Sequence, residues 1–425
     1  MKPRILLVAT SRWLTTARLA KAMTGNGCDV HAVCPGRHAV ERVRNVGGIH
    51  RYRATAPVES IAAAIAAASP DCIIPCDDLA AIHLHRLCWQ SARMGDSATC
   101  ALIERSIGPR ASFPILGSRA RLIRVARELG LRTACTDVIR SAGELSEWVR
   151  RHGLPAVLKA DGTSGGSGVR LVHSLQEAAD ALAALSSPPS PARAIKRALI
   201  NRDTNYLVPC LQRIRPVVNA QAFVAGQDAN CTVACWNGQV RARITVAVIQ
   251  TLEPGGPASV VKVIENAEIA ATAGKIVRHL RLSGLLGFDF VLQEHTGHAH
   301  LIEMNARATQ TGHLQLGPGK DLPGSLRASV AERPLSKPAC VTSNPLIAYF
   351  PQEWARDPMS PLLSEAHHDV PWDEPDLIRI AVADPWRSKA WTRVLSMASA
   401  LRSACSQAPF ARRVAMQANH PRVDA

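Results

Sequence analysis

Lys159-Ala160-Asp161-Gly162-Thr163-Ser164-Gly165-Gly166-Ser167-Gly168 sets one cationic side chain beside a glycine-rich run of backbone donors. Such a run folds its amides around an anion, and with a lysine at its edge it suits a polyphosphate. Far downstream, Leu301-Ile302-Glu303-Met304-Asn305-Ala306-Arg307 ends an apolar stretch in a carboxylate, an amide and a guanidinium. Oxygen donors of that kind suit magnesium or manganese, and a guanidinium suits a phosphate in transfer. Each half alone is a weak signal; the two together point to phosphate chemistry on a nucleotide.

Elements must hold these groups. Pro155-Ala156-Val157-Leu158-Lys159 reads as a buried strand and Val169-Arg170-Leu171-Val172 as its return, so the glycines lie in a hairpin connection. A plain turn is one reading of them, but four glycines, two serines and a threonine stand where an economical hairpin needs two residues. No Gly-Lys-Ser/Thr closes the loop, which excludes a P-loop, and the dinucleotide-binding glycine fingerprint is missing too. Upstream of the second motif runs Gly284-Leu285-Leu286-Gly287-Phe288-Asp289-Phe290-Val291-Leu292. Alternation places Asp289 opposite in face to Phe288 and Phe290, and Glu303 and Asn305 on one face of the returning strand. A hairpin of this length brings Asp289 beside them. Ordinary solvent-facing strand positions would also explain the acids, but charges inside apolar strands on both arms argue for a shared cation.

Together these motifs resemble the ATP-grasp superfamily. The resemblance implies ATP bound with Mg2+ or Mn2+, and activation of a carboxylate as an acyl phosphate for attack by an amine or similar nucleophile. It carries Asp289, Glu303 and Asn305 over to the metal, Lys159 and the loop residues Gly165, Gly166, Ser167 and Gly168 to the phosphates, and Arg307 to the transferred phosphoryl group. Between the motifs, Val218-Asn219-Ala220-Gln221-Ala222-Phe223-Val224-Ala225-Gly226-Gln227-Asp228 resembles the family's hinge. There, backbone groups of Phe223 and Val224 would meet the adenine edge, and Gln227 or Asp228 the ribose. Gln221 stands where the family often has glutamate, and an amide can still accept from the adenine amino group. At Ser118-Arg119-Ala120-Arg121, a capped helix start, the resemblance gives Arg119 an ATP contact and leaves Arg121 and Arg124 on a solvated face.

The remaining chain reads around that centre. Arg4–Ala9, Gly27–Cys34 and Asp71–Cys76 alternate as strands with helices through Leu14–Met23 and Val58–Ala68, which indicates a small doubly wound α/β domain. It resembles the pre-ATP-grasp domain that contributes to acceptor binding in relatives. Asp77 and Asp78, at the carboxyl end of its last strand, either face a ligand or cap the helix starting at Leu79. The fold class is thus α/β and α+β. A doubly wound pre-ATP-grasp domain occupies 1–117 and a two-lobed ATP-grasp domain 118–330, with its glycine-loop lobe at about 131–210 and its metal lobe at about 211–330. Residues 331–425 form a C-terminal extension, read as a cap on the ATP-grasp core.

Composition fits a cytoplasmic enzyme of several cores. The 425 residues are 47% hydrophobic and contain no apolar run long enough to span a membrane. The short apolar run before Thr10 is a strand, not a signal peptide. Twelve cysteines lie scattered without a Cys-x-x-Cys pair, which supports neither zinc nor a disulfide framework. The net charge of +16 raises nucleic-acid binding, but the basic residues are dispersed, aromatics make up 4%, and no binding signature is present. No nucleic-acid partner is expected; a positive field equally suits ATP and an acidic substrate. The partners are small-molecule carboxylate and amine substrates. Phosphorylation of a small carboxylate, as in carbamoyl-phosphate synthetase, is the alternative chemistry, and a non-catalytic ATP-binding protein the alternative class.

Overall fold

The computed structural model describes residues 2–162, 168–199, 206–335 and 337–383. Residues 1–377 form one compact unit; of the second unit, which begins at Ile378, the described residues 378–383 are helical.

The N-terminal layer is built on strands β1 (Arg4–Val8), β2 (Asp29–Cys34), β3 (Val46–Arg51) and β4 (Cys72–Pro75), all parallel in the order β3-β2-β1-β4. Ile5, Leu6, Leu7 and Val8 are fully buried, as the near-continuous apolar run of a parallel strand covered on both faces requires. Helices α1 (Leu14–Gly25), α2 (Pro57–Ala68), α3 (Asp78–Met94) and α4 (Ser97–Ile107) complete it. Helix α3 begins one residue before the sequence predicts, because Asp77 caps it by accepting from the Ala80 amide. Cys88 of α3 and Cys100 of α4 form a disulfide, a correction to the sequence reading. Their separation of twelve matches no spacing rule; packing of the two helices brings them together.

After the short α5 (Phe113–Leu116), α6 (Arg119–Glu128) buries Leu122, Ile123 and Ala126 against the main core and exposes its arginine-rich side. Its N-cap is Ser118, which accepts from the Arg121 amide. The first lobe is a four-stranded sheet of β5 (Thr136–Ile139), β6 (Ala156–Ala160), β7 (Val169–Val172) and β8 (Val218–Ala222), ordered β5-β8-β6-β7. Helix α7 (Ala142–His152) and the helix Leu175–Leu185 cover it through Trp148, Val149, Ala178 and Leu182.

The second lobe contains β9 (Gly226–Trp236), β10 (Gln239–Thr251), β11 (Ala258–Val263), β12 (Gly284–Gln293) and β13 (Ala299–Asn305). Two more strands, β14 (Leu346–Tyr349) and β15 (His367–Asp369), extend it to seven in the order β13-β12-β9-β10-β11-β14-β15. The segment beyond 330 therefore contributes strands to this sheet. It is also fastened to the N-terminal layer, since buried Asp369 receives the Arg18 guanidinium and lies 2.7 Å from His313 Nε2. Gly226 opens β9 with φ 157°, and a Cβ there would fall 2.0 Å from the Leu292 carbonyl oxygen. Only glycine lets the chain leave the hinge this close to β12.

Candidate functional site

Strand register builds the acidic end of the site. Asp289 of β12 lies opposite Glu303 of β13 on one side and Asn230 of β9 on the other, while Gly287 faces Asn305. Asn230 Nδ2 donates to Asp289 Oδ1 at 2.6 Å and Asn305 Nδ2 to Oδ2 at 2.9 Å. Burial, reinforced by the Glu303 charge, nevertheless pushes the Asp289 carboxyl up to about 6. A carboxylate strained in this way gains most from a cation placed between it and its neighbour.

Lys159 sits near the end of β6, opposite Asn219 of β8. Burial lowers the Lys159 pKa and Arg119 adds to the effect, while Glu303, Asp289 and Asp228 oppose it. Arg119, the first residue of α6, spans the two lobes: one nitrogen pairs with Asp161 at 2.8 Å and the other with Glu303 at 2.7 Å. Burial disfavours its charge, but these two carboxylates outweigh that and hold its pKa above the ordinary arginine value. Asn219 Nδ2 steadies Asp161 at 2.9 Å. Both ends of the Arg119 fork hold carboxylates in this structure, so the ATP contact expected of it would exchange one of these partners for a phosphate.

Arg307 is nearly buried. Its Nε donates to Asp78 Oδ1 at 2.8 Å, one terminal nitrogen donates to Asn305 Oδ1 at 3.1 Å, and its guanidinium lies 5.5 Å from the centre of the Trp13 ring. The paired aspartates thus have separate jobs. Asp77 is structural, accepting from the Thr10 amide at 2.6 Å, the Thr10 hydroxyl at 2.8 Å and the Ala80 amide at 2.8 Å. Asp78 turns to Arg307. A pocket beside this cluster is walled by Asp78, Ile82 and His85 of α3, and by Arg119, Asp161 and Glu303.

At the hinge, Phe223 and Asp228 are exposed and Val224 is half-buried. Gln221 is buried, and its Nε2 donates to Thr136 Oγ1 at 2.8 Å and to the Ile302 carbonyl at 3.0 Å. Both amide hydrogens therefore brace β8 against β5 and β13, a structural task the sequence reading did not assign. Gly168 is buried beside β7, whereas Gly165, Gly166 and Ser167 lie outside the described residues. Sequence reasoning also missed Asn230, Asn219, Asp161 and Trp13. Asn230 carried a signal, an amide between apolar neighbours at the middle of a strand; the others are recognisable only by what they touch.

Residues 118–314 match the family model described as the carbamoyl-phosphate synthase L chain, ATP binding domain. No curated protein matches the chain. Among solved structures, it is similar to N5-carboxyaminoimidazole synthase from Aspergillus clavatus in complex with ADP and 5-aminoimidazole ribonucleotide. That likeness has TM-score 0.56 and 13% identity, over 78% of each chain. The biotin carboxylase domain of the 2-oxoglutarate carboxylase from Hydrogenobacter thermophilus, solved with MgADP, ADP and bicarbonate, aligns with TM-score 0.55 and 15% identity. The match covers 80% of this chain and 71% of that one. N5-carboxyaminoimidazole synthetase from Staphylococcus aureus aligns with TM-score 0.54 and 11% identity over 79% of each chain. At these identities the structural likeness is one of fold, and it spans the N-terminal layer as well as both lobes. Residues 118–314, a little under half of the chain, thus match an ATP-binding domain, and the fold that contains them is of the ATP-grasp kind.

Proposed function

We propose that the protein is an ATP- and magnesium-dependent ligase that activates a carboxylate for attack by an amine, forming a carbon–nitrogen bond. The observation that carries this reading is the meeting of Lys159, Asp289, Glu303, Asn305 and Arg307 where the two lobes face each other. The donor set fits Mg2+ or Mn2+ with ATP: two carboxylates and an amide oxygen for a hard cation, and buried cations for phosphate. When bound, that pair supplies an activated phosphoryl group and neutralises charge on it. The chain's own side chains do the rest. Lys159 fixes one phosphate position from within the small-lobe sheet, and the backbone around Phe223 and Val224 receives the base. Arg307, held by Asp78, Asn305 and the Ala308 carbonyl, is aimed by three hydrogen bonds and so meets developing negative charge with little reorganisation. Attack by an amine on an acyl phosphate needs no dedicated general base. The pocket against α3, lined by Asp78, Ile82 and His85, offers the acceptor a place next to this centre.

No helix among the described residues is long and apolar enough to cross a membrane. Among the described residues nine cysteines are free thiols and two, Cys88 and Cys100, are joined. The reading is tested by ADP release with magnesium against pooled carboxylates and amines. It expects release that depends on a carboxylate and is lost in Lys159→Ala. ATP binding without acceptor-dependent ADP release from any pool would make the protein a nucleotide binder instead.

A further inference from the structure

Cys135, Asp137 and His152 have no part in the site described above. Cys135 directly precedes β5 and Asp137 is the second residue of that strand, so alternation places both on one face. His152 is the last residue of α7. Packing of α7 on the sheet sets Cys135 Sγ 3.8 Å from His152 Nε2 and 3.9 Å from Asp137 Oδ2. One ligand atom from each of the three lies within 4.8 Å of the others. Trp148, one helical turn before His152, organises the group. Its Nε1 donates to Asp137 Oδ2 at 3.0 Å, and its ring lies 4.7 Å from the His152 ring. Because Trp148 is part of the small-lobe core, two of the three side chains are oriented from within the fold.

We propose that Cys135, Asp137 and His152 form a binding site for a borderline-soft divalent ion of the zinc class, with solvent in the fourth position. Tetrahedral zinc with ordinary bond lengths holds its ligand atoms about 3.5 Å apart, so the separations from Cys135 Sγ need to shrink by only a few tenths of an ångström. A thiolate, a carboxylate and a neutral imidazole carry two negative charges, matching the ion. Sulfur and imidazole select against magnesium, so the site is chemically distinct from the oxygen cluster at Asp289. Burial and the Asp137 charge push the Cys135 thiol up, while Arg127 and Arg151 act in the other direction. The ion must therefore displace the thiol proton. Arg127 lies 3.8 Å from the sulfur and would move aside into solvent, which its exposed side chain permits. The site also borders the hinge: the Cys135 carbonyl accepts from the Ala222 amide at 2.8 Å, next to Phe223.

The test titrates the chelator-stripped full chain with Co2+ alone. The wild type is expected to develop thiolate-to-cobalt charge-transfer absorption that saturates at one equivalent, collapses when Zn2+ is added and ignores Mg2+. Cys135→Ser should abolish the band, His152→Ala should weaken cobalt binding by about tenfold or more, and Cys340→Ser, at an exposed free cysteine, should leave it intact. A band that survives in Cys135→Ser, or its absence from the wild type, overturns the proposal. Should Cys135→Ser fold poorly, His152→Ala decides alone, since His152 is exposed at a helix end. Unchanged cobalt affinity in that variant rejects the site.

Discussion

Asp289→Asn should stabilise the metal-free protein at pH 8 while removing its magnesium-dependent activity. In the fold the Asp289 carboxyl is raised from 3.8 to about 6, first by burial and then by Glu303. The folded state therefore disfavours its charge. That cost is absent below pH 3.8, grows as pH rises toward about 6 and is complete above it. A shift of roughly two units corresponds to about 3 kcal/mol. The asparagine recovers only part of this, because its amide group replaces one acceptor facing Asn230 and Asn305, at a cost of about 1–2 kcal/mol. Asn230 can turn its own carbonyl to the new amide, so the net gain at pH 8 should be about 1–2 kcal/mol. Thermal melts in chelator, run from pH 4 to pH 8, should show a higher melting temperature for the variant at pH 8 and an advantage that shrinks and is lost or reversed as pH falls toward 4. A variant less stable than wild type across the whole range would refute the argument and make Asp289 a structural residue.

Lys159→Ala should weaken Mg-ATP binding by about 1.5–3 kcal/mol, the worth of one charge-assisted phosphate contact. Calorimetry on the folded variant measures it, and unchanged affinity removes Lys159 from the site. Glu303→Gln should depress turnover strongly yet alter apo stability by no more than about 1 kcal/mol. Arg119 keeps Asp161 and Asp289 loses a repelling neighbour, so a collapse of the apo melting temperature would contradict this. Asp369→Ala should destabilise the main unit by about 3–5 kcal/mol, since it strips Arg18 and His313 of a buried partner. Burial alone would raise the Asp369 pKa, but His313 and Arg18 lower it from 3.8 to about 2. Its contribution is thus present above pH 3.8 and is lost as pH falls toward about 2, which denaturant melts at pH 7 and pH 2 would reveal.

The groups proposed to carry the chemistry were legible because they lie on regular elements close in sequence to one another. Asp289, Glu303 and Asn305 belong to adjacent strands of one hairpin, and period-two alternation is enough to place them together. The β6–β7 hairpin around the glycine run is local in the same way, as is the alternation of strands and helices in the N-terminal layer. What reaches across the molecule was not legible. Arg119 binds Asp161 of one lobe and Glu303 of the other, and nothing local separates it from Arg121 or Arg124. Asp77 and Asp78 are neighbours of one type. Only the fold sends the first to Thr10 and the second to Arg307, because successive residues at a helix start point in different directions. Gln221 reads as a hinge residue until β13 is placed behind it, and Cys88–Cys100 and Cys135–His152 have spacings that match no motif. The strands beyond residue 330 depend on a distant edge, that of β11, which no local pattern specifies. Periodicity and residue type thus determined the elements and the acidic cluster, whereas packing of residues far apart in the chain decided which charges meet, because pairing energy depends on distances that only the closed structure creates.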